Sequence, residues 1–333
     1  MKKIVVLLAT VFFFIATNVL LYVAITSRLA NNFSGTNQLK MVDVARYLPF
    51  EETSELARTG STLKFQQGDD LPVLDGAAAL VPVYASVIDN CYPEGTVTYE
   101  GGVFSDDNYY GENFASDSVM QYQNTVRGFD ALVDGSVDLF FTAHPSEKQM
   151  QSAREKGVEL ELIPIGLEAF VFFVNTKNPV DGLTTEQIRS IYRGEITNWK
   201  DVGGVSKRIN PLTRIEGSGS QTMMDKFMGG ATLKRRPFLS VFGASIGYSF
   251  RYYVTGLVAN ENVKMLAVDG VFPNKENIRN GAYPISGRFY AAFRKDNPNE
   301  NVRRLSEWLT SEEGQRMIEA SGYVRLPEKN ESP

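Results

Sequence analysis

The sequence predicts an exported protein with two α/β lobes. At 333 residues the chain is long for one compact core and suits two lobes of ordinary size. From Leu71 onward, apolar strand-like runs alternate with amphipathic helical patterns, which is typical of α/β lobes with largely parallel sheets. A long apolar run near the N-terminus, preceded by two lysines, indicates export.

The N-terminal segment is predicted to span a membrane. Lys2 and Lys3 precede an apolar run at 4–25, which only two threonines and one asparagine interrupt. A run of about 20 apolar residues can cross a bilayer, whereas the apolar region of a signal peptide is shorter. We therefore predict a transmembrane signal-anchor at 1–26 and a linker or stalk at 27–70. An uncleaved anchor is favoured because no small-x-small cleavage site is evident, and a cleaved signal with a secreted product is the alternative.

Composition and charge exclude several classes of function. With 43% hydrophobic and 22% charged residues the chain is globular, and its net charge of −5 argues against nucleic-acid binding. Cys91 and His144 are the single cysteine and histidine, which excludes an intrachain disulfide and a Cys/His metal cluster. The sequence contains no P-loop motif. We therefore predict a binding protein without metal or cofactor, and an enzyme such as a phosphatase is the weaker alternative.

The predicted first lobe alternates strands with helices. One helix opens at Asn124 and Thr125 and ends near Gly135, a residue type that commonly terminates helices. The elements are predicted, in chain order, at 73–75 (strand), 77–88 (helix), 119–122 (strand), 124–135 (helix) and 137–141 (strand).

The second lobe and the C-terminus carry clear helix signals. Thr184 is followed three residues later by Gln187, which is the spacing of a capping box, and Gly194 ends the same helix. Thr310 and Glu313 repeat this spacing near the C-terminus and predict a second capped helix. Strands are predicted at 161–164 and 169–174.

The segment R-I-E-G-S-G-S at 214–220 has the composition of an oxyanion-binding turn, and a predicted helix at 221–228 follows it. A helix N-terminus offers unpaired N–H groups and a partial positive charge, and glycines let an anion approach the backbone. Ser218 and Ser220 add hydroxyl donors, and Arg214 adds a charge-assisted donor. The alternative is that a serine only caps the helix while Arg214 is a solvated surface charge.

Further turns of similar character follow other predicted strands. The turn at 75–79 opens one helix, and the turn at 124–125 opens another. In open α/β sheets, ligands bind beyond the carboxyl ends of the strands, where such turns gather. His144 lies at a further turn, where a structural role is the alternative to ligand contact. Arg251 is a candidate second cation, with a surface salt bridge as the alternative.

Four stretches of the chain carry a family resemblance. The longest comprises F-V-N-T-K-N-P-V at 173–180 and L-T-T-E-Q-I-R-S-I-Y-R-G-E-I-T-N-W-K-D-V-G-G at 183–204, and it is highly specific. The other stretches lie at 214–221, 244–248 and 309–315. Through them, residues 71–326 resemble the phosphate-binding solute receptors of ABC transporters, within the type 2 periplasmic-binding-protein superfamily.

This resemblance implies a two-lobed fold in which two crossover segments join the lobes and an anion is enclosed between them. The crossovers are expected near Glu168 and Tyr283. Lobe 1 is then expected to comprise residues 71–168 and 283–327, and lobe 2 residues 169–282, preceded by the N-terminal transmembrane helix.

The resemblance also implies, by position, an oxyanion held from both lobes. The chain departs from the family pattern at Ala77 and Ala78, where relatives have hydroxyl side chains, and at Ala143, which replaces a ligand-facing aspartate. His144 and Asp75 are the candidate acceptors for the proton of a bound phosphate. The implied ligand-binding residues are Arg214, Ser218, Gly219 and Ser220 of lobe 2, and Ala77, Ala78, Thr125 and Thr142 of lobe 1.

The expected function is capture of an inorganic oxyanion, foremost phosphate, on the extracytoplasmic side of the cell membrane. The resemblance implies that the anion passes to an ABC permease and that no reaction is catalysed. The alternative is a membrane-tethered sensor or accessory protein that keeps the fold with weak or altered ligand binding. The three alanines and the predicted anchor favour this alternative.

Overall fold

Most of the residues that the structure describes follow the predicted membrane segment. Most of that segment lies outside the described residues, although Phe14 and residues 16–21 are helical. No helix of the described residues is long and apolar enough to cross a membrane. The computed structural model describes residues 14, 16–21, 42–104, 110–214, 216, 218–233, 244–257 and 261–327.

Strands and helices alternate along the described residues as the sequence predicted, except that the strand predicted at 119–122 is wrong, because Met120 forms only an isolated bridge with Leu74. The strands are β1 (Leu74–Gly76), β2 (Tyr99–Phe104), β3 (Tyr110–Phe114), β4 (Leu139–Ala143), β5 (Leu160–Asn175), β6 (Gly182–Leu183), β7 (Ile209–Pro211), β8 (Ala244–Phe250), β9 (Val263–Met265), β10 (Ala267–Val268) and β11 (Ser286–Arg294). The α-helices are α1 (Val81–Cys91), α2 (Asn124–Asp134), α3 (Glu147–Glu155), α4 (Thr185–Arg193), α5 (Gly219–Met228), α6 (Lys275–Arg279), α7 (Glu300–Thr310) and α8 (Glu312–Ala320). Short 3-10 turns lie at Val44–Tyr47, Ala78–Leu80 and Trp199–Val202, and a π-helical turn at Tyr253–Leu257.

One mixed sheet runs through both lobes, in the order β1-β4-β11-β5-β8-β7, and β9 also pairs with β5. β1 is parallel to β4, and β7 is parallel to β8. The central pairs are antiparallel, because β11 runs against both β4 and β5, and β5 runs against β8 and β9. The prediction of largely parallel sheets is therefore wrong at the centre, where the strands that connect the lobes lie.

β5 is the first connection between the lobes. Its first part, Leu160 to Ala169, pairs with β11, and its pairing with β8 begins at Phe170. The two strands predicted here are therefore one 16-residue strand. The chain returns next to this point, where Tyr283 Oη donates a hydrogen bond to the Phe170 carbonyl at 3.0 Å and β11 begins at Ser286.

Each lobe has its own apolar core. Tyr84 and Phe141 belong to the lobe 1 core, whereas Phe172 and Trp199 belong to the lobe 2 core. A smaller cluster packs α2 against the other face of β4. The turn at Tyr253–Leu257 follows β8 of lobe 2; its side chains Tyr253 and Leu257 pack into the lobe 1 core, whereas Val254 packs into the lobe 2 core. The lobes therefore share contacts beyond the two connecting strands.

The described part of the predicted stalk packs against lobe 1. Val44, Tyr47 and Phe65 are buried in the same core as α1, and the Phe65 ring lies edge-on to Tyr92 at 5.1 Å between centroids. Arg58 forms an ion pair with Asp89 of α1 at 3.0 Å. From residue 42 onward the segment is thus part of the lobe, because its apolar side chains bury surface there.

Of the two capping boxes that the sequence predicted, one is confirmed and the other is wrong. The Thr184 box is confirmed, since the Thr184 hydroxyl accepts from Gln187 N while the Gln187 side chain accepts from Thr184 N. The Thr310 box is wrong, because Ser311 caps α8 by accepting from Gly314 N at 3.3 Å. The Glu313 carboxylate instead accepts from the Thr62 backbone and the Trp308 ring, which are contacts of the tertiary fold.

Candidate functional site

A cleft lies between the two lobes, with about 500 Å³ of empty space when the solvent at its mouth is included. Two of the predicted site residues, Ala77 of lobe 1 and Gly219 of lobe 2, line it. Ala143 lines it too, as the resemblance implies for the position of the family's aspartate. Each lobe therefore contributes a turn to one shared space.

Two neighbouring strands of lobe 1 end at the cleft. β1 and β4 are parallel partners, so the turns that follow them lie side by side. The N–H of Ala77 already donates to the Phe141 carbonyl at 2.8 Å and is not available to a ligand. Ala78 follows in a 3-10 turn and does not line the cleft. With no hydroxyl side chain at either alanine, this turn offers few donors.

The N-terminus of α5 forms part of the lobe 2 wall. Ser218 is its N-cap, and the Ser218 hydroxyl accepts from Gln221 N at 3.2 Å. Gly219 lines the cleft, and the Ser220 hydroxyl lies 3.5 Å from that of Ser249. The first N–H groups of a helix have no partner within it. The capping role that the sequence left open for a serine is therefore realised by Ser218, at the edge of the cleft.

The N-termini of α2 and α5 approach each other from opposite lobes. A Cβ atom built on Gly219 would lie 4.0 Å from Thr125 Oγ1 and 3.5 Å from the Phe250 ring. Thr125 is the second residue of α2. Both helix ends carry a partial positive charge, so bringing them together favours an anion between them.

Arg214 lies beside α5 but not in the lining of the cleft. Its N–H donates to Gln221 Oε1 at 3.0 Å and to Tyr248 Oη at 3.1 Å. Its guanidinium carbon lies 6.0 Å from the centre of the Tyr253 ring, at cation–π distance. Among the residues that the structure describes, no carboxylate lies within ion-pair distance of this half-buried side chain. Two hydrogen bonds therefore hold the Arg214 backbone in place, while its guanidinium can form an ion pair with a bound anion.

The lining also omits the other predicted site residues of lobe 1, which are Thr125, Thr142, His144 and Asp75. Thr142 is only 2% exposed within β4. His144 is exposed, and its Nδ1 donates to the Pro145 carbonyl at 2.9 Å, because a carbonyl can only accept. In the neutral ring this leaves Nε2 as an acceptor. His144 directly follows Ala143, which lines the cleft, and its role as an acceptor for the ligand proton stays a prediction.

Asp75 lies beneath the cleft and links two turns of lobe 1. It is fully buried, and its Oδ1 accepts from Gly76 N at 2.6 Å and from Gln123 N at 3.2 Å. Its Oδ2 is buried without a hydrogen-bond partner in the described structure. Burial raises the pKa of Asp75 to about 7, against the lowering effect of the two N–H donors. This carboxyl positions the turn after β1 and the start of α2.

Sequence reasoning missed a buried ion pair at the connection between the lobes. Arg251 Nε lies 3.2 Å from Glu168 Oε1, and Arg251 Nη2 donates to the Gly322 carbonyl at 2.7 Å. Tyr252 N donates to the other Glu168 oxygen at 3.2 Å. Burial raises the pKa of Glu168 above its ordinary value, while Arg251 opposes this effect. Arg251 is thus neither a free cleft cation nor a surface charge.

Arg288 is a second cation that sequence reasoning missed. It lies on β11, is exposed and lines the cleft, and no ion pair of the described residues involves it. The available signal was its place just after the predicted crossover at Tyr283. No group of three or more His, Cys, Asp or Glu side chains among the described residues is suited to hold a metal ion.

Comparison with known sequences gives a consistent set of relatives. The profile of the PBP superfamily domain matches residues 106–313. The phosphate-binding protein PstS of Borreliella burgdorferi is 24% identical over 48% of this chain and 63% of its own length. PstS of Bacillus subtilis is 24% identical over 64% of this chain and 72% of its own length. Protein SphX of Synechococcus elongatus is 26% identical over 78% and 87%, respectively.

Solved structures share the fold. A substrate-binding protein assigned to a phosphate ABC transporter of Clostridium perfringens, with phosphate bound, has a TM-score of 0.58 and 22% identity. The match covers 76% of this chain and 98% of that one. An ABC-type phosphate transport receptor from Vibrio cholerae has a TM-score of 0.51 and 20% identity, over 76% and 99%. At these identities the likeness concerns the fold.

Proposed function

Because this chain belongs to the PBP superfamily, we propose that it captures an inorganic oxyanion, foremost phosphate, outside the cytoplasm. The phosphate-binding proteins among its relatives support this ligand. The observation that carries the proposal is the approach of two helix N-termini, at Thr125 and Gly219, from opposite lobes. A tetrahedral anion suits this place, because donors converge on it from two sides.

The anion is held by backbone and hydroxyl donors together with one cation. The N–H groups of Gly219 and Ser220 belong to the unpaired first turn of α5. Thr125 adds a hydroxyl from lobe 1, and Arg214 adds charge-assisted hydrogen bonds after a rotation of its side chain away from Tyr253. Ser218 caps α5, and the Ala77 N–H is bonded to the Phe141 carbonyl, so Ser218, Ala77, Ala78 and the buried Thr142 shape the site without donating to the anion.

Binding is coupled to closure of the lobes. Lys148 of α3 in lobe 1 forms an ion pair with Glu216, which precedes α5 in lobe 2, at 3.3 Å. Both side chains are largely exposed, so the pair is weak and easily broken. This suits a contact that forms on closure and opens again to release the ligand.

The captured anion is delivered to an ABC permease, and no reaction is catalysed. Lobe 1 comprises residues 71–168 and 283–327 together with residues 42–70, whose apolar side chains are buried in its core, and lobe 2 comprises residues 169–282. The apolar run at 4–25 supports a single-pass anchor that holds the binding domain at the extracytoplasmic face of the membrane.

A second candidate is a tethered sensor or accessory protein with weak anion binding. The specific observation that favours it is the lobe 1 wall, where Ala77 and Ala143 line the cleft without a polar side chain and the Ala77 N–H is already used.

Calorimetric titration of the full chain in detergent with phosphate, sulfate and acetate tests the proposal. Phosphate is expected to bind, and Arg214→Ala should weaken it by about 30-fold or more, since removing one charged partner typically costs about 2–5 kcal/mol. Arg208→Ala is the matched control, because Arg208 is exposed in the same lobe at the far end of β7. Unchanged phosphate binding in Arg214→Ala contradicts the assigned role. Binding of none of the three anions favours the sensor, and turnover of a chromogenic phosphate ester would instead indicate an enzyme.

A further inference from the structure

The wall of the cleft next to the α5 N-terminus is apolar. Its lining side chains there are Phe170, Met223 and Phe250 of lobe 2, with Ala79, Leu80 and Phe289 on the other side. The Phe250 ring packs edge-on to Phe170 at 6.2 Å between centroids, and Phe170 packs in turn against Phe172 at 5.5 Å. These contacts hold the rings in place, so the apolar wall is a fixed feature of lobe 2.

The polar groups of the lining are mostly occupied by the protein itself. Both oxygens of Glu168 accept hydrogen bonds, from Ala169 N, Arg251 and Tyr252 N. The Tyr323 hydroxyl donates to the Ala79 carbonyl. Arg288 is the lining side chain that keeps its charge free of an ion pair within the described residues. The cleft therefore joins a cationic rim to an apolar interior.

The apolar wall begins where the anion is placed. The Phe250 ring lies 3.5 Å from the Cβ position of Gly219, at the first residue of α5. Met223 lies four residues further along α5, on the same helix face. Its Cε is 4.0 Å from the Cβ position of Gly287, so this side chain reaches across to β11 and closes the far side of the space. A substituent on the anion meets Phe250 first and Met223 next.

A bare anion leaves this wall without a partner and loses hydration against it, which is unfavourable. An anion that carries a short apolar group gains from burying that group against the same wall. We propose that the cleft prefers a tetrahedral phosphorus oxyanion with one alkyl substituent of two to three carbons, either a phosphonate or a phosphate monoester. This inference rests on the oxyanion site of the proposed function, and it adds the apolar subsite of Phe170, Met223 and Phe250.

Titration of the full chain with phosphate and with methyl-, ethyl- and propylphosphonate tests the subsite. Each methylene buried against an apolar wall should raise affinity by about fourfold, so propylphosphonate is expected to bind more than tenfold tighter than methylphosphonate. Ethyl phosphate has a chain of the same length as propylphosphonate, and comparing the two distinguishes a monoester from a phosphonate. Met223→Gln should reduce the gain per methylene, whereas Met150→Gln, on α3 outside the cleft, should retain it.

The outcomes separate the two proposals. Affinity that rises along the series supports the apolar subsite. Phosphate binding with affinity that falls at the first methylene overturns the subsite and leaves the proposed function standing. Failure of phosphate and of all phosphonates to bind overturns both. An unchanged gain per methylene in a Met223→Gln protein with wild-type thermal stability also overturns the subsite, because Met223 closes its far side.

Discussion

Replacing Asp75 with asparagine should remove a large pH dependence of stability. Asp75 is fully buried under the cleft, where its Oδ1 accepts two backbone hydrogen bonds and its Oδ2 has no partner in the described structure. Asparagine keeps a carbonyl oxygen for the N–H groups of Gly76 and Gln123 but cannot ionise. The substitution therefore separates the charge of this side chain from its hydrogen bonds.

The expected magnitude follows from the pKa of Asp75. The carboxyl ionises at about 7 in the folded protein, against an ordinary value of 3.8. Between these values the folded protein holds more protons than the unfolded chain, so the stability contributed by this group is full below 3.8 and is lost as the pH rises through about 7. A difference of about three pH units, at about 1.4 kcal/mol each, corresponds to about 4 kcal/mol.

Urea unfolding at pH values from 4 to 8, followed by circular dichroism, measures this effect. The difference in free energy of unfolding between Asp75→Asn and wild type should shift by about 4 kcal/mol in favour of the variant between pH 4 and pH 8. A constant offset from the new amide cancels in this comparison. Asp130→Asn, at an exposed position of α2, is the control and should follow wild type. Parallel curves for wild type and Asp75→Asn would refute the buried, proton-holding carboxyl.

Four further outcomes are expected. Arg251→Met should lower the free energy of unfolding in urea by about 3–5 kcal/mol, because it leaves Glu168 buried without its partner, and the added change Glu168→Leu should restore much of it. Gly219→Ala should leave the melting temperature unchanged, because the added Cβ would lie 3.5 Å or more from its neighbours. It should weaken phosphate binding by about tenfold, because the methyl group would face Thr125 across the anion site. Competition titrations should show only a modest preference for phosphate over sulfate, because Ala143 provides no acceptor for the phosphate proton. The preference should decrease further in His144→Ala, which removes the Nε2 acceptor. Stringent selectivity in both proteins would contradict this. The full chain should stay with membranes after alkaline washing and keep its first residues by mass spectrometry, whereas a soluble product that begins near residues 25–31 would identify a cleaved signal.

Features that depend on neighbouring residues were predictable from the sequence. The α4 cap at Thr184 and Gln187 and the left-handed Gly194 after it follow from hydrogen bonds within a few residues. The same holds for the end of α2 at Gly135 and for a serine cap on α5, although the helix begins at Gly219, two residues before its predicted start. The alternation of strands and helices, together with the stretch at 183–204, was sufficient for the two-lobed fold of the superfamily.

Features that depend on distant segments were decided by the tertiary structure. Thr310 has the spacing of a cap, but Glu313 is used by Thr62 and Trp308, so Ser311 caps α8 instead. Asp75 is followed by Gly76, a pair that is typical of an exposed turn. The side chain is buried because α2 packs over β1.

The composition of the cleft was also decided by tertiary packing. Phe170 belongs to the strand predicted at 169–174, and it becomes a cleft wall together with Phe250 because β5 and β8 pair at the edge of lobe 2 that faces lobe 1. Arg288 acquires its place from the same pairing, since β11 lies against β5 where the lobes meet. Helix caps are determined within one turn of the chain, whereas burial and the side chains that share a cavity depend on segments more than 30 residues apart coming together.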